Sequence, residues 1–128
     1  MIDAAIVGIG RWGRVLVDSV QGKSDAIRFT AGVTRTRSKA EAYCRDQNID
    51  LRDDFEAILS DESIDAVVLA TPHTFHAEEI AAAAAAGKHV FVEKPFTLDK
   101  ASAEAAVAAS SKAGVALGLG HNRRFCAN

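Results

Sequence analysis

Met1-Ile2-Asp3-Ala4-Ala5-Ile6-Val7-Gly8-Ile9-Gly10-Arg11-Trp12-Gly13 opens this 128-residue chain and decides its fold. A short apolar run ends in glycines spaced G-x-G-x-x-G, and Arg14-Val15-Leu16-Val17 continues in helix-compatible residues. That order describes a buried strand, a tight turn and the start of a helix. Gly8 permits the turn, Gly10 lets backbone approach a pyrophosphate, and Gly13 lets the helix pack close on the strand. The helix N-terminus offers free N–H groups and partial positive charge to the same anion, so Ile9, Arg11 and Trp12 join the candidate site. Taken alone, the spacing also fits plain strand–helix turns and other nucleotide folds.

Outward from this stretch, strand and helix patterns alternate. The first helix is expected from Arg11 to about Val20, and a strand rich in β-formers spans Ile27 to Val33. Ser38, with Glu41 three residues on, reads as a capping box for a helix to about Gln47. Leu51 suggests a short extended piece, and Asp53 or Asp54 caps a brief helix bearing Phe55, Ile58 and Leu59. Ile64–Ala70 is almost continuously apolar, as a central parallel strand covered on both faces should be. A helix from about Phe75 to Ala86 contains six consecutive alanines and ends at Gly87. Lys88–Glu93 is the next strand. A helix from Asp99 to Ala113, capped by Thr97 and ended by Gly114, leads to a last strand, Val115–Gly120.

This alternation specifies an α/β architecture, a doubly wound and mostly parallel sheet with right-handed crossovers. Residues 1–120 fit one domain, and 121–128 lead out of it. A net charge of −2 gives no reason to expect nucleic acid or an anionic membrane as partner, and no apolar run approaches the roughly 20 residues of a membrane helix. Cys44 and Cys126 are too few and too far apart for a disulfide framework or zinc site, so no metal and a reducing cytoplasm are expected.

Ligands of such sheets bind beyond the carboxyl ends of the strands. At the second strand's end, where an NAD-preferring domain usually places a carboxylate for the ribose 2′-hydroxyl, this chain reads Thr34-Arg35-Thr36-Arg37-Ser38. Two guanidinium groups and three hydroxyls suit a 2′-phosphate and point to NADP, with NAD possible; the alternative is a solvated basic loop. Ala70-Thr71-Pro72-His73-Thr74-Phe75-His76 follows the next strand, its proline turning the chain out of the sheet. His73 and His76 bring no carboxylate or thiolate at ligand spacing, so structural or cofactor-contacting roles are expected. Glu93-Lys94-Pro95 then delivers a carboxylate and an ammonium to the ligand edge. Lys94 is a candidate for proton transfer there, against a plain surface ion pair.

GIGRWG, ATPHTFHAE, GKHVFVEKPF and GHNRRF stand in this order, each at an expected strand end. The chain thereby resembles, over essentially its whole length, the nucleotide-binding half of the glucose–fructose oxidoreductase, inositol dehydrogenase and MocA-like proteins, a Rossmann fold. The resemblance implies NAD(P)-dependent hydride transfer on a sugar, inositol or related polyol. Lys94 matches the family's catalytic lysine, whose bond to the following proline is often cis, and Glu93 and Pro95 position it beside the nicotinamide. Ala70, Thr71, Pro72 and His76 match the segment following the cofactor's ribose and phosphates. Asn122 and Arg123 match the segment passing nicotinamide and substrate. Relatives are usually more than twice as long. Their second domain supplies the substrate pocket, an Asp and a His acting with the lysine, and the homo-oligomer interface, none of which these 128 residues contain. A stand-alone NADP(H)-binding or sensing module is the alternative, and the Glu93-Lys94-Pro95 context disfavours a methyltransferase.

Overall fold

A computed structural model describes residues 1–121. Strands β1 (Ile2–Val7), β2 (Ile27–Val33), β3 (Asp50–Leu51), β4 (Ala66–Leu69), β5 (His89–Glu93) and β6 (Leu117–Gly120) alternate with helices α1 (Arg11–Val20), α2 (Arg37–Asp46), α3 (Phe55–Leu59), α4 (His76–Ala85) and α5 (Lys100–Ala113). The strands form one parallel sheet in the order β3-β2-β1-β4-β5-β6. Strand order reverses beside β1, and a crevice opens where the loops after β1 and β4 part to opposite faces.

Burial explains the layers. On one face Ala5, Val7, Val67, Leu69, Val90 and Val92 pack against Ile58 of α3, Ile80 and Ala83 of α4, and Ala106 of α5. On the other, Ala4, Ile6, Phe29 and Val68 meet Val17 of α1 and Ala40 and Cys44 of α2. With both faces covered, the central strands carry unbroken apolar runs instead of alternation. The alanine run follows the same logic. Ala83 and Ala84 are buried while Ala81 and Ala86 are exposed, so small side chains bring α4 close to the sheet.

The register levels the ligand edge. Val7 is opposite both Val33 and Leu69, and Leu69 is opposite Val92. The residues that follow, Gly8, Thr34, Ala70 and Glu93, therefore leave the sheet side by side.

Local boundaries differ from the sequence expectation at several points. Helix α2 starts at Arg37, one residue before the expected Ser38 cap, with Thr36 as an N-cap lacking a side-chain bond. Ser38 thus lies inside the first turn, and Glu41 faces Arg37 at 3.7 Å instead of closing a capping box. Asp99, not Thr97, caps α5: its side chain accepts from the Ser102 amide at 2.8 Å, while the Ser102 hydroxyl meets the Asp99 amide at 3.3 Å. The α4 segment begins as a 3-10 turn over His73–Phe75 and becomes α-helical only at His76. It ends at Ala86, and Gly87 follows with φ +74°. Strands β4, β5 and β6 start later than expected. Lys88, just ahead of β5, is buried and donates to the carbonyls of Asp61 and Ile64, both at 2.7 Å.

Candidate functional site

The glycine loop is shaped by contacts no side chain would tolerate. Gly8 has φ +94°, and a Cβ there would lie 2.7 Å from the Ala70 carbonyl oxygen. Its amide donates to the Val33 carbonyl at 2.9 Å, and the Ile9 amide donates to the Thr34 hydroxyl at 3.3 Å, tying the loop to the end of β2. A Cβ on Gly13 would fall 2.1 Å from the Gly8 carbonyl oxygen, whereas one on Gly10 would meet nothing within 4 Å. Gly10 is the N-cap of α1, no side chain caps its first turn, and no acidic residue sits in that turn. Unpaired amides at a helix N-terminus, beside open space, suit a pyrophosphate.

A cleft runs from this loop in both directions along the strand ends. Its larger part, about 520 Å³, is bounded by Thr34 and Arg35 from the loop after β2, Asp53 from the loop before α3, Phe55 at the first position of α3, and Pro72. Its smaller part, about 300 Å³, is lined by Trp12, Ala70, Thr71, Glu93 and Lys94. Ala70 and Thr71 border both parts. The two arginines expected to act together are separated. Arg35 lines the cleft, while Arg37, at the start of α2, donates to Asp53 at 2.9 Å. Thr36, also expected at the cofactor, is exposed between them.

Beyond Thr71 the arrangement is held from behind. His76 is 1% exposed, its Nδ1 lying 3.0 Å from the carbonyl oxygens of Pro95 and Phe96 and its Nε2 3.0 Å from that of Thr71. The ring binds the end of β4 to the end of β5, so its place is behind the cleft, while His73 stays exposed. One turn along α4, Glu79 accepts from the Thr71 hydroxyl. Burial pushes the Glu79 carboxyl above its ordinary range, against the opposing effect of that hydrogen bond.

Glu93 and Lys94 part in character at the small end. Glu93 is only 8% exposed, and no described side chain or amide donates to its carboxylate. Lys94 is exposed, makes no ion pair among the described residues, and is joined to Pro95 by a cis peptide bond. A mostly buried carboxylate without a donor among the described residues, lining a cavity, is a place for a ligand's hydroxyl or amide. Space for it depends on β6: Glu93 pairs with Gly120, where a Cβ would come within 2.6 Å of Glu93 Oε1. Asn122 and Arg123 lie outside the described residues.

Sequence reasoning missed Asp53 and Phe55 as cleft residues, Glu79 as the partner of Thr71, and Gly120 as the neighbour of Glu93. The first two follow a two-residue strand too short to register as a pattern. The others depend on side-by-side placement of elements far apart in the chain.

Strand order, glycine geometry and the adjoining cavities at the strand ends define a dinucleotide-binding Rossmann domain. Comparison with known proteins agrees. The model of the Gfo/Idh/MocA family, described as an oxidoreductase family with an NAD-binding Rossmann fold, matches residues 2–121, and the chain belongs to that family. It is 38% identical over 120 residues to the inositol 2-dehydrogenase of Rhizobium meliloti (strain 1021), covering 94% of this chain and 36% of that protein. Identity to the scyllo-inositol 2-dehydrogenase (NAD(+)) of Bacillus subtilis (strain 168) is 35%, over 97% of this chain and 36% of that protein. The chain thus spans little more than a third of the curated relatives it matches. Among solved structures, scyllo-inositol dehydrogenase from Lactobacillus casei with bound NAD(H) and scyllo-inositol superposes with a TM-score of 0.90 at 29% identity, covering 98% of this chain and 38% of that one. A 3-ketoreductase from Actinomadura kijaniata in complex with TDP-benzene and NADP gives 0.85 at 25% identity, covering 97% and 42%.

Proposed function

We infer that this chain, through a dinucleotide-binding unit of residues 1–120, holds a nicotinamide dinucleotide along the cleft, NADP in preference to NAD. It serves an oxidoreductase that moves hydride between nicotinamide and a sugar, inositol or related polyol. The observation that carries this reading is the placement of two neighbouring cavities, one at the open amides beside Gly10 and one at Glu93 and Lys94, with Ala70 and Thr71 lining both. The glycine loop takes the pyrophosphate, and Arg35 with Thr34 takes the adenosine ribose and its 2′-phosphate. Glu93 accepts from the nicotinamide end. When bound, the dinucleotide supplies the hydride donor or acceptor. Lys94 then hydrogen-bonds the reacting oxygen and moves its proton, while Trp12 shields that end from water. Relatives named for inositol and scyllo-inositol support this substrate class.

Trp12, the single tryptophan, lines the cleft and reports binding directly. NADPH should quench its fluorescence with saturation at lower concentration than NADH, and Arg35→Ala should remove most of that difference. Failure of both dinucleotides to bind would refute the assignment. Turnover is read from dinucleotide absorbance with a panel of inositols and sugars. In a protein that carries this chain and turns over, Lys94→Ala should lower kcat by about 10²-fold or more with dinucleotide affinity nearly unchanged. Binding without turnover on any member of the panel would instead favour the stand-alone binding or sensing module.

A further inference from the structure

We propose that Asp53 sets the balance between the two nicotinamide dinucleotides, acting as a carboxylate delivered to the 2′ position of the adenosine ribose from the neighbouring strand end. The proposal rests on the cleft's larger part being the adenosine end.

The carboxylate that usually discriminates at the end of β2 is absent, and Thr34-Arg35-Thr36-Arg37 stands there. Strand β3 lies alongside, pairing Leu51 with Gly32, and the Arg52 amide donates to the Gly32 carbonyl at 2.7 Å. The backbone on either side of Asp53 is then fixed. Arg52 is pinned by Asp50 at 2.8 Å and Asp61 at 2.7 Å, and Asp54 caps α3 by accepting from the Ala57 amide at 2.8 Å. Asp53 has neither task. It projects from this anchored turn to the mouth of the cleft, where, among the described residues, it and Arg35 are the charged ones lining the larger part.

Its partner there is Arg37, at 2.9 Å, which Glu41 approaches from the other side. This geometry has opposite consequences for the two dinucleotides. A ribose 2′-hydroxyl can donate to Asp53 while Arg37 keeps its ion pair. A 2′-phosphate meets the same carboxylate as a like charge, and must share the Arg37 guanidinium with it. Arg35 attracts the phosphate and Asp53 opposes it, so the preference is a difference between two charges at one edge.

The test is a fluorescence titration of NADPH and of NADH against wild type, Asp53→Asn, Arg37→Ala and the double variant. Asp53→Asn keeps the shape and removes the charge. It should raise affinity for NADPH relative to NADH by about fivefold, the scale of one solvent-exposed charge pair. In the Arg37→Ala background the same substitution should give a clearly smaller gain, because no guanidinium is left to release. An unchanged NADPH/NADH ratio in Asp53→Asn, with circular dichroism confirming the fold, would overturn the proposal. A wild type that prefers NADH, combined with a shift towards NADPH in Asp53→Asn, would support it while refuting the NADP preference. No binding of either dinucleotide to any of the four proteins would overturn both.

Discussion

Gly13 and Gly10 lie three residues apart in one motif, and the structure assigns them unrelated jobs that a matched pair of alanine substitutions separates. At Gly13 the added methyl would sit 2.1 Å from the Gly8 carbonyl oxygen, so the contact must open by more than 1 Å to reach ordinary separation. Neither partner has room to move. Gly8 is held by its 2.9 Å hydrogen bond to Val33 and by the Ala70 carbonyl behind it, and Gly13 is buried in the first turn of α1. Overpacking against backbone belongs at the upper end of the usual range, about 3 kcal/mol. Alanine's better helix propensity returns up to about 1 kcal/mol. The net loss is about 2 kcal/mol, or a Tm lower by about 8 °C for a domain of this size. Gly10 has φ −87° and ψ −162°, which any residue adopts, and its methyl would meet nothing within 4 Å. Gly10→Ala should keep stability within about 0.5 kcal/mol of wild type. The methyl occupies the approach to the first-turn amides, so dinucleotide affinity should fall by about tenfold or more. Urea denaturation followed by circular dichroism measures the first quantity, and quenching of Trp12 the second. A Gly13→Ala protein as stable as wild type, or a Gly10→Ala protein that binds as wild type does, would refute the division of labour.

Two further substitutions test the support behind Thr71. His76→Ala removes the ring that faces three carbonyl oxygens and leaves a cavity in their midst, which should cost about 3 kcal/mol in urea denaturation. His76→Asn places an amide N–H near the Nδ1 position facing Pro95 and Phe96, and His76→Gln one near the Nε2 position facing Thr71, so the variant that matches the protonated nitrogen should recover part of the loss; recovery by neither would contradict the clamp. Glu79 is held above the ordinary carboxylate range by burial, so the fold favours its protonated form. Its contribution is fully present below the unfolded value of about 4.3 and is lost as pH rises through the raised folded value. Glu79→Gln should keep a partner for the Thr71 hydroxyl, flatten that decline, and be more stable than wild type at pH 7 by about 0.5 kcal/mol. A variant whose stability follows pH as wild type does would show that Glu79 is not the titrating group.

The parts of the fold legible in the sequence were those written in short-range chemistry. The run Ile2–Val7 into three glycines, the β-rich Ile27–Val33 and the alanines of α4 each state their conformation locally, and the bounds of β1, α1 and β2 agree with their patterns. Caps were read less well because a capping residue is chosen by where the first turn starts. Thr36 and Ser38 offer the same hydroxyl two residues apart, and the backbone bond from the Lys39 amide to the Thr36 carbonyl at 3.2 Å shows the helix already begun at Arg37. The separation of the two arginines has the same origin. Sequence places Arg35 and Arg37 in one loop, yet a strand of two residues brings up the carboxylate that divides them.

Thr71 shows why the ligand edge works as one surface and not as a row of independent loops. Its carbonyl meets His76, its hydroxyl donates to Glu79, and its side chain borders both parts of the cleft. His76 passes the constraint to the carbonyls of Pro95 and Phe96, immediately after Lys94, and Ala70 passes it to Gly8 through their close backbone approach. The glycine loop and the lysine turn, more than 80 residues apart in sequence, are thereby positioned by one strand end. A dinucleotide lying along that edge would be located at both of its ends by a single element. The chain therefore fixes the spacing between the glycine loop and Lys94 in its own backbone.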